Sequence, residues 1–152
     1  MLIEKAEYER IISVFPRVCV DIFVEDSHGH VLLLKRTNEP AIGQWWFPGG
    51  RVHIGETRFE AARRKLREEC GIQAPELKEL GSFDLFFDVG HIQHHDVTIV
   101  FKLELSHAIP IVTDHQSSDY GWFSRNDCRT LALHPYVERN IKDHAIAENL
   151  NP

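Results

Sequence analysis

The sequence predicts an α+β domain built on a largely antiparallel or mixed sheet. Alternating, β-branched runs recur along the chain, and segments with helical spacing lie at both ends and in the middle. The two kinds mix without the regular strand–helix alternation of a parallel sheet. A chain of 152 residues, 43% apolar and 26% charged, can bury a real core, and no linker or repeat divides it, so residues 1–152 are expected to form one domain.

The elements follow in order. In "AEYERIISVF" the residues Tyr8, Ile11, Ile12 and Phe15 share a helical face, and Pro16 stops the run. "RVCVDIFVED" alternates apolar and polar residues and reads as a strand; "SHGHVLLLKR" adds a turn at Gly29 and a second strand, giving a hairpin. "TNEPAIGQWWFPGG" is a connection punctuated by Pro and Gly, with a short aromatic strand over 45–47 whose rings are expected to pack in the core. The best-defined helix starts at Thr57, where Glu60 completes a capping-box pattern, and ends at Gly71, suited to a left-handed C′ position. "LKELGSFDLFFDV" and "HDVTIVFKLEL" read as strands separated by the polar loop "GHIQHH", and "DYGWFS" is a last short strand. "RNDCRTLAL" and "PYVERNIKDHAI" read as helices.

Composition excludes several functions. A net charge of −6 argues against non-specific nucleic-acid binding, which needs a basic surface. Cys19, Cys70 and Cys128 are odd in number and form no CxxC pair, so reduced thiols are expected rather than disulfides or a zinc site. The start "MLIEKAEYER" lacks the apolar segment of a signal peptide, and no run approaches a membrane span. A cytoplasmic protein with no membrane or nucleic-acid partner is expected.

The middle helix carries the chemistry. Phe59, Ala62, Leu66 and Cys70 form its core-facing stripe. Arg64 with Glu68, and Lys65 with Glu69, stand at i,i+4, the spacing of ion pairs on a solvated helix surface. The alternative is a carboxylate cluster built for a metal ion. The stretch in front favours the second reading: "FPGGRVHIGETRFEAARRKLREECGI" places Gly50, Glu56, Arg64, Leu66, Glu68, Glu69, Gly71 and Ile72 at the spacing G-x5-E-x7-R-E-U-x-E-E-x-G-U, U being apolar. This resembles the Nudix box. One position departs: Lys65 stands where the box has its first "REUxEE" glutamate.

The resemblance implies the Nudix fold, a mixed β-sheet sandwiched between helices with a loop–helix–loop catalytic motif. It also implies a divalent metal, Mg²⁺ with Mn²⁺ as a substitute, and a substrate with a diphosphate linked to another group. Hard oxygen ligands suit such an ion. A protonated lysine at position 65 neither ligates metal nor accepts a proton, which weakens attack of water at phosphorus. "VDIFVEDSHGHVLLLKRTNEPAIGQWWFPGGRV" and "DHQSSDYGWF" look like the GDP-mannose mannosyl hydrolase branch, which breaks the sugar C–O bond.

Carried over by position, that resemblance implies Gly49 (through its carbonyl), Glu69 and Gln116 as metal ligands. It implies Arg36 on the diphosphate, Arg51 and Arg64 on the leaving group, and Asp21 near the nucleotide or sugar. GDP leaves once metal and arginines absorb its charge, water attacks the anomeric carbon, and a base on the far face makes the outcome inverting. The branch's histidine after the glutamine is absent: Gln116 is followed by Ser117, and His115 precedes it. Base candidates are His115, His91, His94, His95 and Glu68. A pyrophosphatase cutting a nucleotide sugar or nucleoside diphosphate derivative at phosphorus is the rival, and a nucleotide-sugar sensor without turnover is the third reading. The resemblance also implies a homodimer, through the N-terminal helix.

Overall fold

The computed structural model of the chain describes residues 2–114 and 117–146. Its elements run α1 (Lys5–Ile12), β1 (Arg17–Asp26), β2 (Val31–Arg36), β3 (Trp45–Trp46), β4 (Gly49–Arg51), α2 (Arg58–Cys70), β5 (Lys78–Val89), β6 (Ile92–Leu105), β7 (Ser117–Phe123), α3 (Arg125–Thr130) and α4 (Pro135–His144). The seven strands form one sheet in the order β3-β2-β1-β6-β5, with β4 added to β1 and β7 to β2. The sheet is mixed: β1 runs parallel to β6 and antiparallel to β2 and β4.

The strand β1 is central, and it is buried on both faces from Cys19 onward. Its alternation sorts residues between two layers rather than between core and water. Val20, Ile22 and Val24 face α2, packing with Ala61, Ala62, Leu66 and Phe101. Phe23 faces the other way, toward Tyr136, Val137 and Ile141 of α4, with Trp46 and Phe47 in the same cluster. Helices thus cover both faces, and the box helix lies on one of them. No helix among the described residues is long and apolar enough to cross a membrane. Cys19, Cys70 and Cys128 are free and buried.

Local chemistry explains where α2 starts and stops. The Thr57 side chain accepts from the Glu60 backbone N–H and the Glu60 carboxylate accepts from the Thr57 N–H, so two orphan donors are satisfied. Gly71 adopts φ 68° and ends the helix as a left-handed cap.

Several boundaries differ from expectation. The helix α1 ends at Ile12, three residues short of Phe15, and leaves Val14 and Phe15 exposed. The glycine turn before the box is itself strand β4, paired with Cys19, Val20 and Asp21. Only Gly90 and His91 turn between β5 and β6, so His94 and His95 lie in the strand and not in a loop. The strand β7 begins at Ser117, and α3 stops at Thr130 because Leu131 is extended.

Leu66 is fully buried beneath α2, so Leu66→Ala is expected to lower the unfolding free energy by about 2–5 kcal/mol in urea titrations. Thr57→Ala, which removes only the cap, is expected to cost about 1 kcal/mol in the same measurement.

Candidate active site

The site is built where α2 passes over β4. Lys65 Nζ lies 2.7 Å from Glu69 Oε1, and the Gly49 backbone N–H donates to Glu69 Oε2 at 2.9 Å. Lys65 and Glu69 are each 5% exposed. The expectation of a surface pair at i,i+4 is therefore corrected: the flank that carries it is covered by the β4 backbone. Burial pushes the Glu69 carboxyl above its ordinary pKa, opposed by Lys65 and by the Gly49 N–H. Both glycines are required by close approach. A side chain on Gly49 would strike the Asp21 carboxylate and the Val20 carbonyl, and one on Gly50 would lie 2.8 Å from Lys65 Cε.

Arg64 is a brace. Its Nε donates to Glu56 Oε2 at 3.0 Å, and its Nη2 donates to Glu56 Oε1 at 2.6 Å and to the Arg51 carbonyl at 2.9 Å. Nη1 donates to Glu68 at 3.2 Å. These bonds tie the box's first glutamate and β4 to α2. The Glu56 carboxyl is held down to about 2, first by the Arg64 hydrogen bonds.

Arg36, Arg51 and Lys65 line one cavity of about 410 Å³ together with Arg64 and Glu68. Arg17 lines it as well, a residue the sequence reading missed. Its Nε and Nη2 each donate to Asp96 at 2.7 Å, and its Nη1 donates to the Tyr8 hydroxyl at 2.8 Å. The Asp96 carboxylate keeps the guanidinium charged despite burial. No sequence signal links Arg17 to Asp96; the parallel pairing of β1 with β6 sets them side by side. Arg36 donates from Nε to the Pro40 carbonyl at 2.8 Å, and the Arg51 guanidinium stands 5.7 Å from the centre of the Tyr8 ring.

A smaller cavity, about 80 Å³, shares Arg17, Arg36, Gly49 and Arg51 with the first and reaches inward to Asp21, Trp46 and Phe87. Asp21 is 6% exposed. Its Oδ2 accepts from the Trp46 indole N–H at 3.1 Å and from the Tyr136 hydroxyl at 2.8 Å. Burial pushes its carboxyl up to about 7 against those two donors. Trp46 and Phe47 are buried among aromatic neighbours.

The expected sites divide. Arg36, Arg51, Arg64 and Glu68 line one cavity, with Gly49 at its wall and Asp21 in the adjoining one. Glu69 is turned into the Lys65 pair. His115 and Gln116 lie outside the described residues. Of the remaining histidines, His95 bonds Asp84 at 2.9 Å and stacks on Phe86, and His91 lines a separate hollow beside α1. His94 is buried two residues before Asp96 in β6, its Nδ1 has no hydrogen-bond partner among the described residues, and burial lowers its pKa.

Nudix hydrolases generally use divalent metals such as Mg²⁺. Of the implied ligands Gln116 lies outside the described residues and Glu69 is already taken, so the described residues do not fit such an ion at Glu69 or between it and Glu68. Both Glu69 oxygens are engaged, and Lys65 Nζ, 3.8 Å from Glu68 Oε2, already supplies the positive charge that the two carboxylates share. Among the described residues no group of three or more His, Cys, Asp and Glu is arranged to hold a metal.

Known proteins resemble this chain in sequence and in fold. The family profile "NUDIX domain" matches residues 15–144. The chain is 35% identical over 139 residues to the low-salt glycan biosynthesis protein Agl8 of Haloferax volcanii, covering 89% of this chain and 86% of that protein. It is 38% identical over 129 residues to an ADP-ribose pyrophosphatase of Methanocaldococcus jannaschii, covering 85% of this chain and 73% of that one. In fold it is similar to the NUDIX domain of Shewanella oneidensis NrtR, solved with ADP ribose, at a TM-score of 0.72 and 22% identity over 92% of this chain and 96% of that one.

The depressed Glu56 carboxyl generates a pH prediction. Its folded pKa of about 2 lies below the ordinary 4.5, so its pairing with Arg64 stabilises the fold fully above about 4.5. That contribution is lost as the pH falls through about 2. Glu56→Gln is expected to be less stable than wild type at neutral pH in urea titrations, with the two proteins converging as the solution is acidified over that window.

Proposed function

Because the chain belongs to the Nudix family, we propose that it hydrolyses a nucleoside diphosphate derivative whose diphosphate rests against Arg36, Arg51 and Lys65. One observation carries this reading. Arg36, Arg51 and Lys65 converge with Arg17 and Arg64 on a single cavity, where only two carboxylates, Glu39 and Glu68, are among the lining residues. An anion entering there meets net positive charge and planar guanidinium donors suited to phosphate oxygens.

Within that class we favour GDP-mannose or a related GDP-hexose, cut at the sugar C–O bond to give GDP and free sugar. Two facts support it. Lys65 replaces the carboxylate that would assist attack at phosphorus, and the relative in Haloferax volcanii is a glycan biosynthesis protein. In this reading Arg36, Arg51 and Lys65 absorb the charge that develops on the departing diphosphate. Glu68 is half-exposed on the same cavity but stands 3.8 Å from Lys65, on the leaving-group side, so the base that takes the proton of the attacking water has to come from the opposite face. Asp21, in the adjoining pocket, meets the sugar or base. Magnesium, expected from the resemblance, is given no step. A cytoplasmic homodimer belongs to the same proposal, with Val14 and Phe15 exposed at the end of α1.

The second reading is cleavage at phosphorus, favoured by the ADP-ribose pyrophosphatase relative in Methanocaldococcus jannaschii. Incubation with GDP-mannose and with ADP-ribose in ¹⁸O-water separates the two. Mannose carrying the label, with unlabelled GDP, is the expected outcome. Label in a phosphate product selects cleavage at phosphorus, and binding with no turnover of any nucleotide sugar overturns both. Arg36→Ala is expected to lower kcat/KM by about 10- to 100-fold, as loss of a charged hydrogen bond to the diphosphate.

A further inference from the structure

We propose that Lys65 is a resident cation, whose ammonium holds the place between Glu68 and Glu69 from which a divalent ion would otherwise face the diphosphate. The inference rests on the reading of the cavity as a diphosphate site and deepens it, because it concerns what supplies charge there.

Three observations converge on the lysine. Its Nζ sits 2.7 Å from Glu69 Oε1 and 3.8 Å from Glu68 Oε2, so one charge serves two carboxylates. Its stem lies over Gly50, where an added Cβ would stand 3.2 Å from Cδ and 2.8 Å from Cε. The backbone is thus shaped to the side chain as well as the side chain to the carboxylates. Finally, Lys65 lines the cavity that Arg36 and Arg51 also line, so its ammonium is presented to an incoming anion although the side chain is 6% exposed.

Electrostatics makes the ammonium and a dication exclude each other. An ion placed between Glu68 and Glu69 would meet a like charge at contact distance in a poorly solvated position, with Glu69 already accepting from Gly49. A covalently tethered lysine needs no metal concentration to fill its place. Its cost is chemical: three N–H donors cannot activate a bound water as a metal does. The residue therefore suits stabilisation of a departing diphosphate and not generation of a nucleophile at phosphorus.

The test measures binding without turnover. GDP is titrated calorimetrically into the wild-type chain in excess EDTA and again with Mg²⁺. Mn²⁺ binding by wild type and by Lys65→Glu is followed by electron paramagnetic resonance. Wild type is expected to hold GDP in EDTA within about threefold of its affinity with Mg²⁺, since the ammonium does not depend on added ion. Lys65→Glu is expected to gain Mn²⁺ affinity by at least about tenfold, with a third carboxylate in the ammonium's place. The wild-type arm needs no substitution and stands alone if the variant does not fold. A tenfold or greater loss of GDP in EDTA, or wild-type Mn²⁺ affinity equal to that of Lys65→Glu, overturns the assignment. Failure of GDP to bind under any condition sinks the diphosphate reading itself, and the Mn²⁺ comparison then decides on the lysine separately.

Discussion

The contact between Lys65 and Glu69 beneath the Gly49 N–H constrains everything around it. Two charges taken out of water are costly, and their attraction repays that cost only when geometry and further hydrogen bonds are good. Here one Glu69 oxygen faces the ammonium and the other a backbone donor, and burial still holds the carboxyl above its ordinary pKa. Once formed, the arrangement is hard to break from one side, because removing either partner of a buried pair typically costs about 3–5 kcal/mol. It holds α2 over β4, with the Lys65 stem lying against Gly50, while the crowding at Gly49 comes from Val20 and Asp21 of β1. The same contact engages both oxygens of Glu69, the carboxylate expected from the resemblance to hold a metal.

The remaining cations divide their labour according to what already holds them. Arg64 spends its donors on Glu56, Glu68 and the Arg51 carbonyl, and so joins the ends of the box. Arg17 is oriented by Asp96 and Tyr8 and touches both cavities. Arg36 and Arg51 make fewer internal bonds and reach the larger cavity. The braced residues give the site its shape, and the others are left facing the cavity. Arg64, expected on a leaving group, also lines the cavity while it bonds Glu56, Glu68 and the Arg51 carbonyl.

Much of the fold was legible because it follows from local chemistry. Thr57, Glu60 and Gly71 mark the ends of α2 by hydrogen bonds and backbone conformation that depend on those residues alone. The paired spacing of Lys65 and Glu69 was legible too, but spacing on a helix does not say whether a flank is covered, and β4 covers this one. The strand β4 escaped notice because two of its three residues are glycines, which carry no strand propensity. The start of β6 was misplaced because after Ile92 its first residues, Gln93 to Asp96, are polar. Arg17 with Asp96, and Asp21 with Tyr136, are long-range contacts made by tertiary packing, and neither partner announces the other in sequence.

The most direct measurement is of the ammonium itself. Nitrogen-detected or ¹⁵N-edited NMR of lysine side chains reports whether an NH₃⁺ group is held in a hydrogen bond or exchanges freely with water. A slowly exchanging Lys65 ammonium signal at neutral pH, lost in Glu69→Gln and shifted when GDP is added, is the predicted result. A Lys65 signal that exchanges as fast as those of the exposed lysines and ignores GDP would contradict the central claim.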